Sequence, residues 1–331
     1  MLWLYLSERM VDCRRCSGIP LQRKNTMQIE RQRFLVTGGC GFIGSRVVRL
    51  LATRGAEVTV FDRLIRPEVR DELPPSAAAR VTLQEGDITS ATEVQAAAHG
   101  AAGVFHLAVL DLNSCTDDPR LCVRINIEGT YTVLEAAQRA GLSKVVFSSA
   151  SSVYGDTDET MDESHPLGAR TIYGASKIAG EYFCRSFHTM FDLDYVVLRY
   201  MNVYGPHQTI GVIPAVLGRI RAGQAPVIFG KGTQSFDFIY VDDVAEANLR
   251  AMASDTTDEA FNVGSGEERS IKQVVETLLR LTGSDVQPDY QPAPVGQMQR
   301  RVGSSTKAEH LLGWRAAIPF DEGLCRVVTA G

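Results

Sequence analysis

From Arg33 onward, short apolar runs alternate with stretches of helical period. The runs near 33–37, 57–61, 80–84, 102–107, 144–149 and 195–199 are apolar at consecutive positions, as strands covered on both faces are. Between them, apolar residues return every three to four positions near 42–54, 91–98, 119–141 and 172–191, which predicts helices with one buried face. The alternation predicts a parallel sheet with helices on both sides. From about Asn202 the pattern breaks into shorter pieces punctuated by Pro206, Pro214 and Pro226. Helical segments return near 213–222, 242–253 and 270–282, and Pro288, Pro292 and Pro294 mark a loop before the C-terminal stretch. The expected fold is α/β: a doubly wound parallel sheet over residues 33–201 and a smaller lobe over 202–331. That lobe lends some segments to the sheet and lies over the carboxyl ends of the strands, where open α/β sheets bind their ligands.

Residues 1–32 fit neither part and are expected to be an extension or a disordered arm. Met1–Leu6 is apolar but breaks at once into Ser7, Glu8 and Arg9, with no basic leader and no small-residue cleavage site, which argues against a secretory signal. Met27, just ahead of the first strand, is a candidate translation start. No apolar run approaches the ~18 residues of a membrane span. A net charge of −5 gives no basic footprint for nucleic acid, and 44% hydrophobic with 22% charged residues suits a soluble globular enzyme. The seven cysteines lack paired spacing and point to a reducing, cytoplasmic setting rather than a disulfide framework. Cys13 and Cys16 form the one close pair, without the second pair that zinc requires. His99, His165, His188, His207 and His310 make no metal-like cluster, so no metal is expected.

Two constellations carry chemistry. Phe34–Gly44 reads as a strand, then Gly38, Gly41 and Gly44 at three-residue spacing, then a helix. Such glycines tighten the turn, let backbone approach a pyrophosphate and let helix pack on strand, while the helix N-terminus offers free amides. Asp62 closes the next strand, where a ribose-binding carboxylate belongs. This is a Rossmann opening. Farther on, Tyr173 and Lys177 stand four residues apart at a helix start, on one face. A cation there favours phenolate, lowering the tyrosine toward working pH and making it an acceptor for a hydroxyl proton.

Over about residues 33–320 the chain resembles the extended short-chain dehydrogenases/reductases of the nucleotide-sugar epimerase/dehydratase group. The motifs are Thr37–Gly44, Gly86-Asp87-Ile88, Phe105–Ala108, Asn126–Thr130, Ser148–Gly155, Tyr173 with Lys177, Leu198–Pro206 and Asp237–Val244. The resemblance implies NAD along Gly38, Gly41, Phe42, Ile43 and Gly44, with Asp62 on the ribose and Asp87 and Ile88 at the adenine. Leu107, Ala108, Asn126 and Lys177 would line the same cofactor, and Tyr173 would be the base. It also implies a nucleotide-diphosphate sugar, with UDP the expected nucleotide, touched by Asn202, Val212, Ile213 and Phe229. A homodimer through the helices near 119–141 and 172–191 is implied as well.

Three positions depart from the family pattern. Ala150 stands where relatives carry a sugar-binding Ser or Thr; Ser151 and Ser149 are the candidates to replace it, with Thr130 or water as a partial substitute. Phe236 stands where an arginine usually grips the diphosphate, leaving Arg300 or Arg301 to do so. The run Val109–Asn113 after His106-Leu107-Ala108 has an unusual composition for a sugar pocket. Relatives that eliminate water or carbon dioxide keep a carboxylate just before Val-Tyr-Gly, where this chain has Ala150, Ser151 and Ser152. The expected activity is therefore NAD-dependent 4-epimerisation by transient oxidation at C4. Two alternatives stay open: a 4-ketoreductase that consumes NAD(P)H, or a cofactor-binding regulatory or scaffold protein with impaired turnover.

Overall fold

The computed structural model describes residues 27–294 and 298–330. The strands are β1 Arg33–Thr37, β2 Glu57–Asp62, β3 Val81–Glu85, β4 Gly103–His106, β5 Lys144–Ala150, β6 Asp194–Tyr200, β7 Asn202–Tyr204, β8 Val227–Phe229, β9 Ser235–Tyr240, β10 Glu259–Val263, β11 Glu268–Ser270, β12 Asp289–Gln291 and β13 Arg300–Arg301. The helices are α1 Phe42–Thr53, α2 Glu68–Asp71, α3 Pro75–Ala78, α4 Ala91–Ala98, α5 Leu112–Asp117, α6 Pro119–Cys122, α7 Gly129–Arg139, α8 Ile172–Phe191, α9 Val212–Arg221, α10 Val241–Ala253, α11 Ile271–Thr282, α12 Thr306–Leu312 and α13 Phe320–Thr329.

Seven parallel strands form the central sheet in the order β3-β2-β1-β4-β5-β6-β10. Alternate side chains of β1 serve opposite faces, as the two-residue period of a strand requires. Phe34 and Val36 join one core with Val47, Val48 and Leu51 of α1 and Met252 of α10. Leu35 joins the other with Val94 of α4, Leu134 of α7 and Phe187 of α8. The strand order reverses between β1 and β4, the switch point at which a crevice opens beyond the carboxyl ends. Six strands match the apolar runs of the sequence. The seventh, β10, comes from the segment assigned to the lobe and pairs Phe261 with Leu198.

The C-terminal lobe has its own core, including Tyr204, Phe238, Tyr240, Leu278 and Phe320. Its four-stranded sheet places β7, β11 and β13 on β9, and a separate pair joins β12 to β8.

Three expectations are corrected. Met27 donates its backbone N–H to Ala253 O at 3.1 Å, and Met27 and Ile29 pack on the core, so the fold begins ahead of residue 33. Residues 1–26, with the Cys13–Cys16 pair, lie outside the described residues. The expected 119–141 helix is α6, a π-helical turn Val123–Glu128 and then α7. Cys115 and Cys122 are joined as a disulfide, against the expectation from spacing. Asp118 turns the chain between α5 and α6, capping α6 through Leu121 N at 3.0 Å, and brings the two Cα atoms to 4.9 Å. Among the described residues no helix is long and apolar enough to cross a membrane.

Candidate active site

A cavity of about 650 Å³ lies at the switch point. Its floor is the glycine loop. Gly38 has a φ of 69°, and a Cβ there would stand 2.5 Å from Ala108 N at the end of β4. A Cβ on Gly44 would lie 2.1 Å from Gly38 O, so α1 packs against the loop only because the position is bare. Gly41 meets only Gly38 O, at 3.1 Å, and precedes an α1 N-terminus with no side-chain cap. Uncapped amides, Phe42 and Ile43 thus face the cavity, the arrangement that receives a pyrophosphate. Asp62 Oδ2 accepts from Cys40 N at 2.9 Å and Oδ1 from Leu64 N at 3.2 Å, which ties the carboxylate to the loop. Asp87 and Ile88 line the same wall. Two hydrogen bonds from Thr89 hold the Asp87 carboxyl below its ordinary range, the backbone N–H being the stronger influence. Bare glycines, a free helix end and a ribose-height carboxylate fit a dinucleotide.

The opposite wall follows β4. His106 accepts at Nδ1 from the Thr37 hydroxyl at 2.7 Å and donates from Nε2 to Thr130 Oγ1 at 3.0 Å, because the Thr130 hydrogen is given to Asn126 O. Burial, with the Lys177 charge, lowers the His106 pKa to about 3, so the imidazole is a neutral strut and not a base. Thr130 is fully engaged there and does not reach the cavity. Leu107 and Ala108 do line it. Asn126, expected to line the cofactor, is buried one layer behind. Its amide clamps the Leu110 backbone, accepting from N at 2.7 Å and donating to O at 3.0 Å, and donates to Ser176 Oγ at 3.1 Å.

Tyr173 and Lys177 both line the cavity from α8, whose first turn is capped by Thr171 Oγ1 accepting from Gly174 N at 3.0 Å. Lys177 Nζ donates to Ser148 O at 2.7 Å and sits 5.8 Å from the Tyr173 ring centre. Burial pushes Tyr173 up to about 12, with Asp111 adding to the rise and Arg301 opposing it. Burial pulls Lys177 down to about 7, against the pull of Glu181. The expected lowering of the phenol by Lys177 is therefore not found. Desolvation outweighs the one opposing cation, Arg301.

The serines sort by partner. Ser149 Oγ donates to Glu181 Oε1 at 2.5 Å, inside a buried network where Arg199 binds the same carboxylate at 2.6–3.3 Å. Ser149 lines the cavity, but its hydroxyl is thus occupied. Ser151 is buried in a 3-10 turn and does not line the cavity. Ser148 and Tyr200, whose oxygens lie 2.9 Å apart, do line it and were not singled out from the sequence, although both fall inside quoted motifs.

Asp111 also lines the cavity. Burial raises its carboxyl, but bonds from the Ser114 hydroxyl and from the Ser114 and Asn113 amides outweigh this and hold it below its ordinary value. On the lobe side, Arg300 is committed to Glu268 at 3.0 Å and to Asp158 O at 2.9 Å. Arg301 is different. Its Nη2 reaches Gly155 O at 3.5 Å, while its buried Nε has no partner among the described residues. In the parallel β13–β9 register Arg301 stands directly beside Phe236, so both side chains leave the same face. Ile213 is 2% exposed and belongs to the lobe core, which removes it as a base contact. Val212 packs partly against that core, Phe229 is 38% exposed on β8, and Asn202 Nδ2 donates to Asp237 O at 3.4 Å. Ile210, not expected, also lines the cavity. No group of three or more metal-ligating side chains occurs among the described residues.

Residues 34–264 match the model of the NAD dependent epimerase/dehydratase family. A UDP-glucose 4-epimerase of Mycolicibacterium smegmatis is 32% identical over 304 residues, covering 89% of this chain and 97% of that protein. A dTDP-glucose 4,6-dehydratase of the same organism is 30% identical, covering 88% and 91%. The solved structure of a UDP-glucose 4-epimerase from Thermotoga maritima with UDP-glucose superposes with a TM-score of 0.83 at 33% identity, covering 90% and 98%.

Proposed function

The chain belongs to the NAD dependent epimerase/dehydratase family, and from that premise we propose that it is a nucleotide-diphosphate-sugar 4-epimerase, acting on a UDP-sugar. The carrying observation is the absence of an available acid beside the sugar site. Ala150, Ser151 and Ser152 stand where dehydrating and decarboxylating relatives need a carboxylate. Asp111, the one carboxylate near Tyr173 in the cavity wall among the described residues, is held ionised as a helix cap and has no proton to give. Epimerisation requires no such acid. Bound NAD supplies the reversible two-electron acceptor for the C4 hydrogen. With the cofactor's positive charge to offset the burial that raises its pKa, Tyr173 would take the 4-hydroxyl proton and later return it, with Lys177 fixed beside it by Ser148 O. Arg301 holds the diphosphate while the flat 4-keto sugar turns to present its other face. Ser148, which lines the cavity and shares its hydroxyl with the neutral Tyr200 phenol rather than with a carboxylate, is the best replacement for the missing donor at Ala150.

The protein is further proposed to be a cytoplasmic homodimer through α7 and α8. Tyr131 on α7 and Tyr182 on α8 leave 44% and 58% of their surface exposed, apolar area that a second copy would cover. Light scattering should return twice the chain mass.

Proton NMR tests the reaction. The protein with NAD is incubated with UDP-glucose, UDP-N-acetylglucosamine and UDP-glucuronate. A new galacto anomeric signal, absent with Tyr173→Phe, is expected. A 6-deoxy methyl doublet or loss of the carboxyl carbon would replace the reading with dehydration or decarboxylation. Net NADH oxidation with a 4-keto sugar would replace it with ketoreduction.

A further inference from the structure

The disulfide lies directly behind the cavity wall. Cys115 Sγ is 3.3 Å from Leu110 O, and Asn126 Nδ2 is 3.5 Å from each sulfur while its amide clamps the Leu110 backbone. The bridge, Asn126 and the Leu110 peptide form one buried knot. The chain on either side of it, Leu110 and Asp111 before Cys115 and Leu121 and Ile125 around Cys122, is cavity lining. The catalytic chemistry has no use for this bridge.

We propose that Cys115 and Cys122 are a reversible thiol–disulfide site that tightens the nucleotide cavity when oxidised. The oxidant is a low-molecular-weight disulfide of the glutathione class. One protein thiolate attacks it, forming a mixed disulfide and releasing one thiol. The second protein thiolate then displaces the other, and the two protein thiol protons end on the two released thiols. Both cysteines are covered, at 1% and 0% exposure, so exchange passes through opening of the short α5 and α6 helices. Closing the bridge pre-organises the wall and removes an ordering penalty from ligand binding. By linkage, a ligand that binds the oxidised form more tightly must favour oxidation by the same factor.

The test uses NAD as ligand and needs no turnover, so it stands whatever sugar chemistry the protein performs. Protein freed of cofactor is poised in glutathione buffers, and the state of Cys115 and Cys122 is read by alkylation and peptide mass, with and without saturating NAD. Calorimetry gives the NAD dissociation constant of each form. The oxidised form is expected to bind roughly fivefold more tightly, the low end of ordinary coupling. Saturating NAD should then move the redox midpoint by about 21 mV, from 29.6 mV per tenfold for a two-electron couple. Cys115→Ser and Cys122→Ser should bind like the reduced protein and ignore the buffer. Equal NAD affinity in the two wild-type states, an unmoved midpoint, or no linked 115–122 peptide at any ratio would overturn the proposal. The wild-type comparison holds even where a variant folds poorly.

Discussion

Replacing Arg301 by methionine separates the proposed diphosphate grip from its neighbour. Arg301 is half-buried; its buried Nε is unpartnered among the described residues, and its hydrogen bond to Gly155 O is a long 3.5 Å. A guanidinium so poorly satisfied is held ready for an anion. Burial lowers its pKa, with Asp156 and Tyr173 opposing, as expected of a cation taken from water without a close counter-charge. A diphosphate would supply charge-assisted bonds worth about 1.5–3 kcal/mol. Their loss corresponds to about a ten- to 150-fold rise in KM for the nucleotide sugar. Because this binding is the same in ground and transition states, kcat should stay within about threefold. Methionine keeps the apolar stem and removes a half-buried, poorly satisfied charge, so urea unfolding should show stability unchanged or slightly raised. Arg300→Met is the control. It removes an exposed pair with Glu268 worth about 0–1 kcal/mol and should leave KM within twofold. Initial rates against substrate concentration for the two variants decide the matter. Equal effects at 300 and 301, or an unmoved KM at 301, would refute the reasoning.

Gly44→Ala places a Cβ 2.1 Å from Gly38 O and should lose about 1–3 kcal/mol of stability and weaken NAD binding by calorimetry, whereas exposed Gly218→Ala in α9, with nothing within 4 Å, should gain up to about 1 kcal/mol. Glu181→Gln leaves Arg199 buried without its counter-charge and should lower the unfolding free energy in urea by about 3–5 kcal/mol; a loss below about 1 kcal/mol would contradict a tightly paired network. The folded pKa of His106, about 3, lies below its unfolded value, so the unfolded chain binds the extra proton and stability falls as pH drops below 6.5. The slope from this residue should be about half its limit at pH 6.5 and approach about 1.4 kcal/mol per unit between about pH 5.5 and 4, and His106→Asn should remove it in denaturation curves collected across that range.

What the sequence displayed was local chemistry, and what it concealed was pairing across the chain. The glycine loop, Asp62 and the Tyr173–Lys177 pair are each fixed by a strand end or one helical turn, so spacing alone placed them in the cavity. Ser149 and Ser151 could not be ranked that way, because what occupies Ser149 is Glu181 on α8, 32 residues away. The choice between Arg300 and Arg301 depended on a β13–β9 register that two residues of strand do not advertise. The bond between Cys115 and Cys122 was hidden for a related reason. Its spacing matches no common motif, and only the turn at Asp118 brings the two helices together. Strand β10 joins the sheet beside β6 after a long excursion through the lobe, so the sequence showed that the lobe lends segments to the sheet without showing which. Phe236 shows how register gives a departure its meaning. By itself it is a lost arginine; beside Arg301 on the neighbouring strand, it leaves the face still carrying a cation. A motif position can thus be vacated without emptying the site, provided the adjacent strand presents the same charge at the same height.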